Sequence, residues 1–230
     1  MIKFITLVPC GYQKDLPNKD IDLILLHKLI DNKEYLDYYE NIYKGYKILD
    51  NSAFELGEGL DSELLLKYAE KIKANEIIIP DAYGDKDKTI ELFNDFEKKY
   101  LKKENFNYKI MVVPQGKDEK DYDKCLKYFI NKKNINTIGI NKLFKRNNSN
   151  KLSNLINEIK KNKKEIHFLG CNDILDYSML ALFSEEIRSA DSRIISKYIT
   201  EDSDVWECNL TPTQISDIKW LINRTKLNIK

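Results

Sequence analysis

Two aspartates that lie far apart in the sequence, Asp50 and Asp191, each follow a short run whose composition is typical of a buried strand. Two carboxylates that face one pocket can carry out displacement at an anomeric carbon. One acid attacks or stabilises C1′, and the other transfers the proton of the departing or arriving group. This chemistry requires a fold that brings distant parts of the chain to one rim.

Six strand-like runs end in a polar or glycine-containing cluster, at 50–52, 80–81, 114–116, 139–141, 170–173 and 191–193. The hydrophobic core does not need these clusters, although a Ser, Asp or Gly at such a point can cap the following helix. Capping is an open alternative for Asp173 and Ser192. Asp81, in contrast, stands before the better placed caps Asp85 and Asp87, which favours a functional role.

The strand-like runs alternate with amphipathic helical segments along most of the chain. Seven runs are visible, at 3–9, 46–51, 75–81, 108–116, 135–141, 165–171 and 186–191. The alternation predicts a parallel sheet with right-handed crossovers. We expect an α/β fold, a compact (β/α)8 TIM-like barrel, rather than an open doubly wound sheet, with residues 1–230 forming a single domain.

The eighth strand of this barrel has two candidate locations, within 20–45 or near 205–210. We expect segment 18–45 to be mainly helical, with Leu23, Leu25, Leu26 and Leu29 on its apolar side. The chain is slightly shorter than the ~250 residues of a typical barrel, so one repeat can be degenerate.

The carboxyl ends of the strands in such a barrel meet on one face, which carries the active site. We therefore expect Asp50 and Asp191 to face each other across the mouth, beside Asp81 and Gln115. Glutamine is a weak helix cap, and Gln115 has no evident structural reason to follow a strand.

Composition excludes several classes of protein. Lys and Arg total 38 against 37 Asp and Glu, a net charge of +1 that provides no global basic field. The four cysteines are widely separated and lack the spacing of a zinc site, so no metal is expected. No run is long enough for a signal peptide or a membrane helix. These features predict a protein of the reducing cytoplasm that does not contact membranes.

Six motifs in one order, "LDNSAFELG", "PDAYGD", "VVPQGKD", "IGI", "IHFLGCND" and "SADSR", resemble the tRNA-guanine transglycosylase superfamily. The resemblance extends from about residue 46 to residue 195. It is strongest to compact relatives in phages and bacterial DNA-modification clusters, which insert 7-deazaguanine bases into DNA. The family motif D-S-G-G-F-Q corresponds here to "DNSAFE".

This resemblance implies two catalytic residues, Asp50 as general acid and base and Asp191 as the nucleophile of a covalent glycosyl-enzyme. It also implies that Asp81 accepts from the N–H edge of the base and that Phe54 stacks on it, although an aromatic residue here is equally typical of a core. No cofactor is implied. The remaining base-binding positions are Asn51, Ser52, Gln115, the backbone at Gly139 and Ile140, and Gly170.

The expected partners are a free 7-deazaguanine base, such as the 7-cyano form, and a nucleic acid whose target base is turned out of its stack. Lys142, Lys145, Arg146 and Arg193 are candidates to hold phosphates, although 142–151 is equally typical of a solvated loop. The chain lacks the zinc-binding insertion and the length of the tRNA enzymes, which favours DNA over tRNA. The oligomeric state, including a homodimer, stays open.

Two other functions are compatible with the paired acids. One is a barrel lyase, aldolase or glycoside hydrolase acting on a small sugar, although no strand ends in a lysine suited to a Schiff base. The other is a non-catalytic paralogue that accompanies an active subunit, although such a protein has no reason to keep both Asp50 and Asp191. Neither His27 nor His167 is expected to act in the chemistry, and His167 is expected to pack or to support the site from behind.

Overall fold

A computed structural model describes residues 2–18, 20–103, 106–141, 149–195 and 209–228 of the chain. Within them, eight strands form one parallel sheet. The strands are β1 (Lys3–Thr6), β2 (Ile21–Leu25), β3 (Tyr46–Asp50), β4 (Glu76–Ile78), β5 (Lys109–Val112), β6 (Thr137–Ile140), β7 (Glu165–Phe168) and β8 (Ser189–Ser192). The predicted TIM-like barrel is confirmed.

Helices connect the strands. They are α1 (Leu26–Asp31), α2 (Lys33–Asp37), α3 (Ala53–Leu56), α4 (Ser62–Ile72), α5 (Lys86–Phe96), α6 (Glu119–Ile130), α7 (Ser149–Lys161), α8 (Ile174–Leu182) and α9 (Pro212–Asn228), with π-helical turns at Tyr38–Ile42 and Glu97–Leu101. Among the described helices, none has both the length and the apolar character needed to cross a bilayer.

Aspartate side chains begin several of these helices, because a carboxylate accepts from backbone N–H groups that have no partner in the first turn. Asp61, Asp85, Asp118 and Asp173 accept in this way at the starts of α4, α5, α6 and α8. Asp85 rather than Asp81 therefore caps α5, as expected, and the capping alternative holds for Asp173. Ser192 accepts from the N–H of Ile194 at 3.1 Å.

The segment Ile21–Leu25 corrects one expectation. It is a strand, and the expectation of a mainly helical segment is wrong for these five residues. Its alternate residues Ile21, Leu23 and Leu25 pack in the barrel interior, while Ile24 packs against the helices. A short run that is apolar on both faces fits a buried strand and a buried helix equally well, so periodicity alone did not separate them. The other location of the eighth strand lies mostly outside the described residues.

Asn18 joins the two ends of the hydrogen-bonded strand order, β1 and β2. Its side-chain oxygen accepts from the N–H of Thr6 at 3.0 Å, and its amide donates to the carbonyl of Thr6 at 2.9 Å. The same amide donates to Asp22 on β2, also at 2.9 Å. One buried side chain therefore takes the place of a backbone ladder at this joint.

Alternation along each strand separates two cores. The outer core lies between the sheet and the helices and contains Leu49 of β3 and Ala190 of β8. The interior core contains Ile48 of β3 and Ile5 of β1. Successive side chains of a strand face opposite sides. The buried members of the interior cluster among the described residues are Ile5, Leu7, Ile21, Leu23, Leu25, Ile48, Ile78, Met111 and Val113.

An ion-pair cluster occupies the interior at the amino-terminal ends of the strands. The Nη1 of Arg188 lies 2.8 Å from Glu76 and 2.8 Å from Glu165, and it also donates to Thr137 at 3.2 Å. Glu76 is fully buried and accepts from the hydroxyl of Tyr46 at 3.1 Å. The cluster therefore lies at the end of the interior opposite to the carboxyl-terminal ends of the strands.

The helix α9 packs beside the barrel through a third apolar cluster, which contains Ile218 and Ile222 of the helix together with Leu16 and Val8. The expectation of a single domain over the whole chain stays a prediction.

Replacing Asn18 with alanine should lower the free energy of unfolding by about 2–4 kcal/mol, because the buried N–H and C=O of Thr6 would lose their partner. Urea denaturation measures this change. Asn41→Ala, which removes an exposed side-chain bond to Asp37, is the control and should change stability by about 0.5 kcal/mol or less. Equal effects of the two substitutions would show that Asn18 does not close the barrel.

Candidate functional site

A cavity of about 460 Å³ opens at the carboxyl-terminal ends of the strands. Its floor is apolar and its walls are polar, the usual character of a small-molecule site. The floor consists of Leu7, Leu23, Leu25, Ile78, Val113 and Leu169. The polar wall contains Asp50, Asn51, Glu55, Asp81, Gln115, Asn141, Asn172, Asp191 and Arg193.

Asp50 and Asp191 both line this one cavity. Asp50 ends β3, two residues after the interior residue Ile48, and therefore faces inward. Asp191 pairs in register with Ile5, whose side chain lies in the interior core. The strand period thus accounts for the convergence of two acids from opposite parts of the chain.

Asp50 is held by a tight turn. Its Oδ1 accepts from the N–H of Ser52 at 2.8 Å, and Ser52 adopts a left-handed conformation with φ of 66°. Desolvation raises the pKa of Asp50 well above its ordinary value, and the nearby carboxylate of Glu55 adds to this effect. The carboxylates of Asp81 and Asp191 raise the pKa further, while the Ser52 N–H opposes the shift. Asp50 is therefore suited to carry a proton.

Asp81 is buried between two side-chain amides. Its Oδ1 accepts from Asn51 at 2.7 Å, and its Oδ2 accepts from Gln115 at 2.5 Å. Other bonds orient both amides: Asn51 accepts from the N–H of Ala53 at 2.7 Å, and the oxygen of Gln115 accepts from the N–H of Gly84 at 3.2 Å. Both amides must therefore present N–H groups to Asp81, which suits an acceptor on each of its oxygens.

Burial raises the pKa of Asp81 from 3.8 to about 6, and the hydrogen bonds from Asn51 and Gln115 oppose that rise. The folded protein therefore binds this proton more tightly than the unfolded chain. Its contribution to stability is fully present below pH 3.8 and is lost as the pH rises through about 6. The size of this contribution is about 3 kcal/mol. At neutral pH, Asp81 is mostly ionised and acts as an acceptor.

Asp191 is 4% exposed and accepts three hydrogen bonds. The N–H of Gly170 lies 3.2 Å from each of its oxygens, and Nε2 of His167 lies 3.1 Å from Oδ1. Gly170 has a φ of 61°, a conformation that favours glycine. His167 is fully buried and supports Asp191 directly, which agrees with its expected position behind the site.

Glu55 is a fourth acid of the cavity wall that the sequence interpretation did not include among the site residues. Desolvation and the carboxylate of Asp191 raise its pKa, while Arg193 and Lys28 oppose the rise. The signal available in the sequence was its position one residue after Phe54, close to the end of β3.

Phe54 and Tyr83 form the outer edge of the cavity. Phe54 is 64% exposed and Tyr83 is 45% exposed, and their rings meet edge to face with centroids 5.7 Å apart. Phe54 therefore does not belong to the core, which was the alternative to a stacking role. A planar group that enters the cavity would pass this aromatic pair.

Three of the expected base-binding residues do not line the cavity: Ser52, Gly139 and Ile140. Ser52 is buried and its hydroxyl accepts from the N–H of His27 at 3.2 Å. Gly139 faces the interior, where an added Cβ would lie 3.0 Å from Leu169, so the glycine makes room for packing below the floor.

The side chain of Ile140 packs in the outer core, because it is one residue out of phase with Gly139. The expected contacts of Gly139 and Ile140 with a base concerned their backbone and stay predictions. Asn141, the next inward position, does line the cavity and donates to Gln115 at 3.3 Å. Strand alternation is the signal that could have found it.

Arg193 is the described member of the expected phosphate-binding set and lies in the cavity wall. Its backbone N–H donates to the side-chain oxygen of Asn172, another wall residue, at 3.3 Å. The other three members, Lys142, Lys145 and Arg146, lie outside the described residues.

Comparison with known proteins gives no assignment: no family model matches the chain, and no curated protein matches it. Among the described residues, no group of three or more His, Cys, Asp or Glu side chains has the arrangement of a metal site.

The Asp81 carboxyl should titrate near pH 6, which carboxyl-carbon NMR can measure after assignment with Asp81→Asn. Asn51→Ala removes a donor that stabilises the ionised form, so it should move the midpoint upward by about 0.5–1 unit. Asn41→Ala, far from the cavity, is the control. A wild-type midpoint near 4, or a downward shift in Asn51→Ala, would contradict this account of the site.

Proposed function

We propose that this protein is a guanine transglycosylase that exchanges guanine in DNA for a 7-deazaguanine base through a covalent aspartyl-glycosyl intermediate. The observation that carries the proposal is the convergence of Asp50 and Asp191 on one cavity, beside the Asp81 and Gln115 pair. The resemblance of six ordered motifs to the guanine transglycosylases agrees with this geometry.

The first displacement uses both acids. Asp191 attacks C1′ as a carboxylate, and the bond between C1′ and N9 of guanine breaks as the ester bond forms. Asp50, whose pKa is raised, gives its proton to a ring nitrogen of the departing guanine. The products of this step are free guanine, ionised Asp50 and a glycosyl ester on Asp191.

The second displacement reverses these roles. Asp50 takes the proton from N9 of the incoming base, N9 attacks C1′, and the ester bond to Asp191 breaks. Two inversions give net retention at C1′. One glycosidic bond replaces another, so the exchange needs neither ATP nor a redox cofactor.

The Asp81 and Gln115 pair supports a guanine-like base as the ligand. Each oxygen of Asp81 accepts one bond from the protein and keeps capacity for another, so the carboxylate can accept from the ring N–H and the exocyclic amine. The amide nitrogen of Gln115 has two hydrogens and bonds Asp81 through one, which leaves a donor for a carbonyl oxygen. The apolar floor suits the flat face of a heterocycle.

The proposed polymer is a nucleic acid, because the chemistry of the reaction requires a base that is attached to a sugar carbon. A base inside a duplex must be turned out to reach C1′ in this cavity, and cations near the mouth would hold its phosphates. Arg193 lies in the wall, and Lys142, Lys145 and Arg146 follow β6 in the sequence. The resemblance is strongest to compact relatives that modify DNA, which favours DNA over tRNA as the polymer.

An exchange assay tests this proposal. Purified protein with DNA should release guanine and incorporate a labelled 7-deazaguanine, because the covalent intermediate can be resolved by either base. Incorporation of label into tRNA rather than DNA would support the base-exchange reaction and would identify tRNA, not DNA, as the polymer. Label in neither, across the cyano, aminomethyl and amido bases, would overturn the proposed function.

Asp191→Asn should abolish the covalent adduct with a guanine-containing oligonucleotide, because an amide is a poor nucleophile and cannot form the ester. Intact-mass spectrometry of the denatured protein detects the adduct. Asp123→Asn makes the same substitution at an exposed position on α6. This matched control should form as much covalent adduct as the wild-type protein. Undiminished adduct in Asp191→Asn would refute the assigned nucleophile.

A further inference from the structure

A buried chain of hydrogen bonds runs through the barrel interior from Arg188 to Asp191. Nε of Arg188 donates to the hydroxyl of Ser189 at 3.2 Å. That hydroxyl lies 2.8 Å from Nδ1 of His167, and Nε2 of His167 lies 3.1 Å from Oδ1 of Asp191. His167 and Ser189 are fully buried and are paired in register across β7 and β8.

The two ends of the chain indicate the direction of each bond, because a guanidinium only donates and a carboxylate only accepts. The Ser189 oxygen accepts from Arg188, so its single proton is available to Nδ1 of His167. A neutral imidazole that accepts at Nδ1 carries its proton at Nε2. Nε2 then donates to the carboxylate of Asp191. The ion pairs of Arg188 with Glu76 and Glu165 hold the first donor of the chain in place.

We propose that His167 is a positioning residue: held as the Nε2–H tautomer by Ser189, it binds Oδ1 of Asp191 and leaves Oδ2 as the oxygen that attacks C1′. The inference rests on the proposed function for the attack itself. The hydrogen bond and the tautomer are properties of the free protein and can be tested without any substrate.

The two carboxylate oxygens differ in their surroundings. Oδ1 accepts from both His167 and Gly170, whereas Oδ2 accepts from Gly170 alone among the described residues. An oxygen with fewer hydrogen bonds keeps more electron density for bond formation, and the bond at Oδ1 restricts rotation of the carboxylate. Such restriction matters because small displacements of a reacting group cost large factors in rate.

Nitrogen-15 NMR of the free protein tests the tautomer. The chain has 2 histidines, so the spectrum of His27→Gln assigns His167 directly. The expected result is a neutral ring protonated at Nε2, and Ser189→Ala should increase the population protonated at Nδ1. A wild-type ring protonated at Nδ1 alone, or at both nitrogens, would overturn the proposal.

Kinetics of base exchange tests positioning. His167→Phe removes the donor and should lower kcat by on the order of 10–100-fold with little change in the KM for the free base, because Asp81 and Gln115 are untouched. His167→Gln can place an amide N–H near Oδ1 and should recover most of the loss. Circular dichroism and urea denaturation confirm that the variants are folded, and Asp123→Asn is the activity control.

Wild-type kcat in folded His167→Phe, or equal losses in the phenylalanine and glutamine variants, would overturn the positioning role. If wild-type protein exchanges no base into any polymer, the proposed function fails. The NMR experiment would still show whether Nε2 of His167 carries the proton that it donates to Asp191. Failure of the proposed function and failure of the His167 proposal are therefore distinguishable.

Discussion

The two-residue period of the closed parallel sheet determines which side chains share the cavity. Ile5, Ile48 and Asp191 face inward because each occupies the same phase of its strand, and pairing in register extends that phase to the neighbouring strand. A shift of one residue in any strand would exchange its interior and outer side chains. The convergence of Asp50 with Asp191 therefore depends on register and on barrel closure.

A polar side chain bridges the two strands at which the barrel closes. Asn18 bonds both backbone groups of Thr6 and also Asp22, and so connects the two strands that end the hydrogen-bonded order. Buried polar groups are costly unless they are paired. At the amino-terminal end of the interior, Nη1 of Arg188 is paired with Glu76 and Glu165.

The cavity brings Asp50, Asp81 and Asp191 together. Different surroundings suit these acids to different roles. Desolvation raises the pKa of Asp50 well above its ordinary value, and its acidic neighbours add to the rise. Asp191 accepts from Gly170 and His167. A proton carrier and a nucleophile are the two roles that base exchange requires. Burial raises the pKa of Asp81, and its two amide donors limit that rise to about 6.

Local patterns in the sequence were enough to predict the barrel, most of its strands and the acids at the strand ends, because buried runs and the polar clusters after them are local features. They failed at Ile21–Leu25, where apolar residues at nearly every position suit either a strand or a helix. They also left Glu55 and Asn141 out of the site and included Ser52, which lies outside the cavity lining. These assignments depend on strand phase and loop geometry.

The sequence by itself determined the order of elements and the types of residue at each strand end, since both follow from composition and periodicity along the chain. Only the tertiary structure decided that His167 contacts Asp191 and that Asn18 joins β1 to β2. The physical reason is that hydrogen bonds between side chains distant in sequence depend on strand register and on the direction of each side chain. Neither quantity is visible in the chain before the sheet closes.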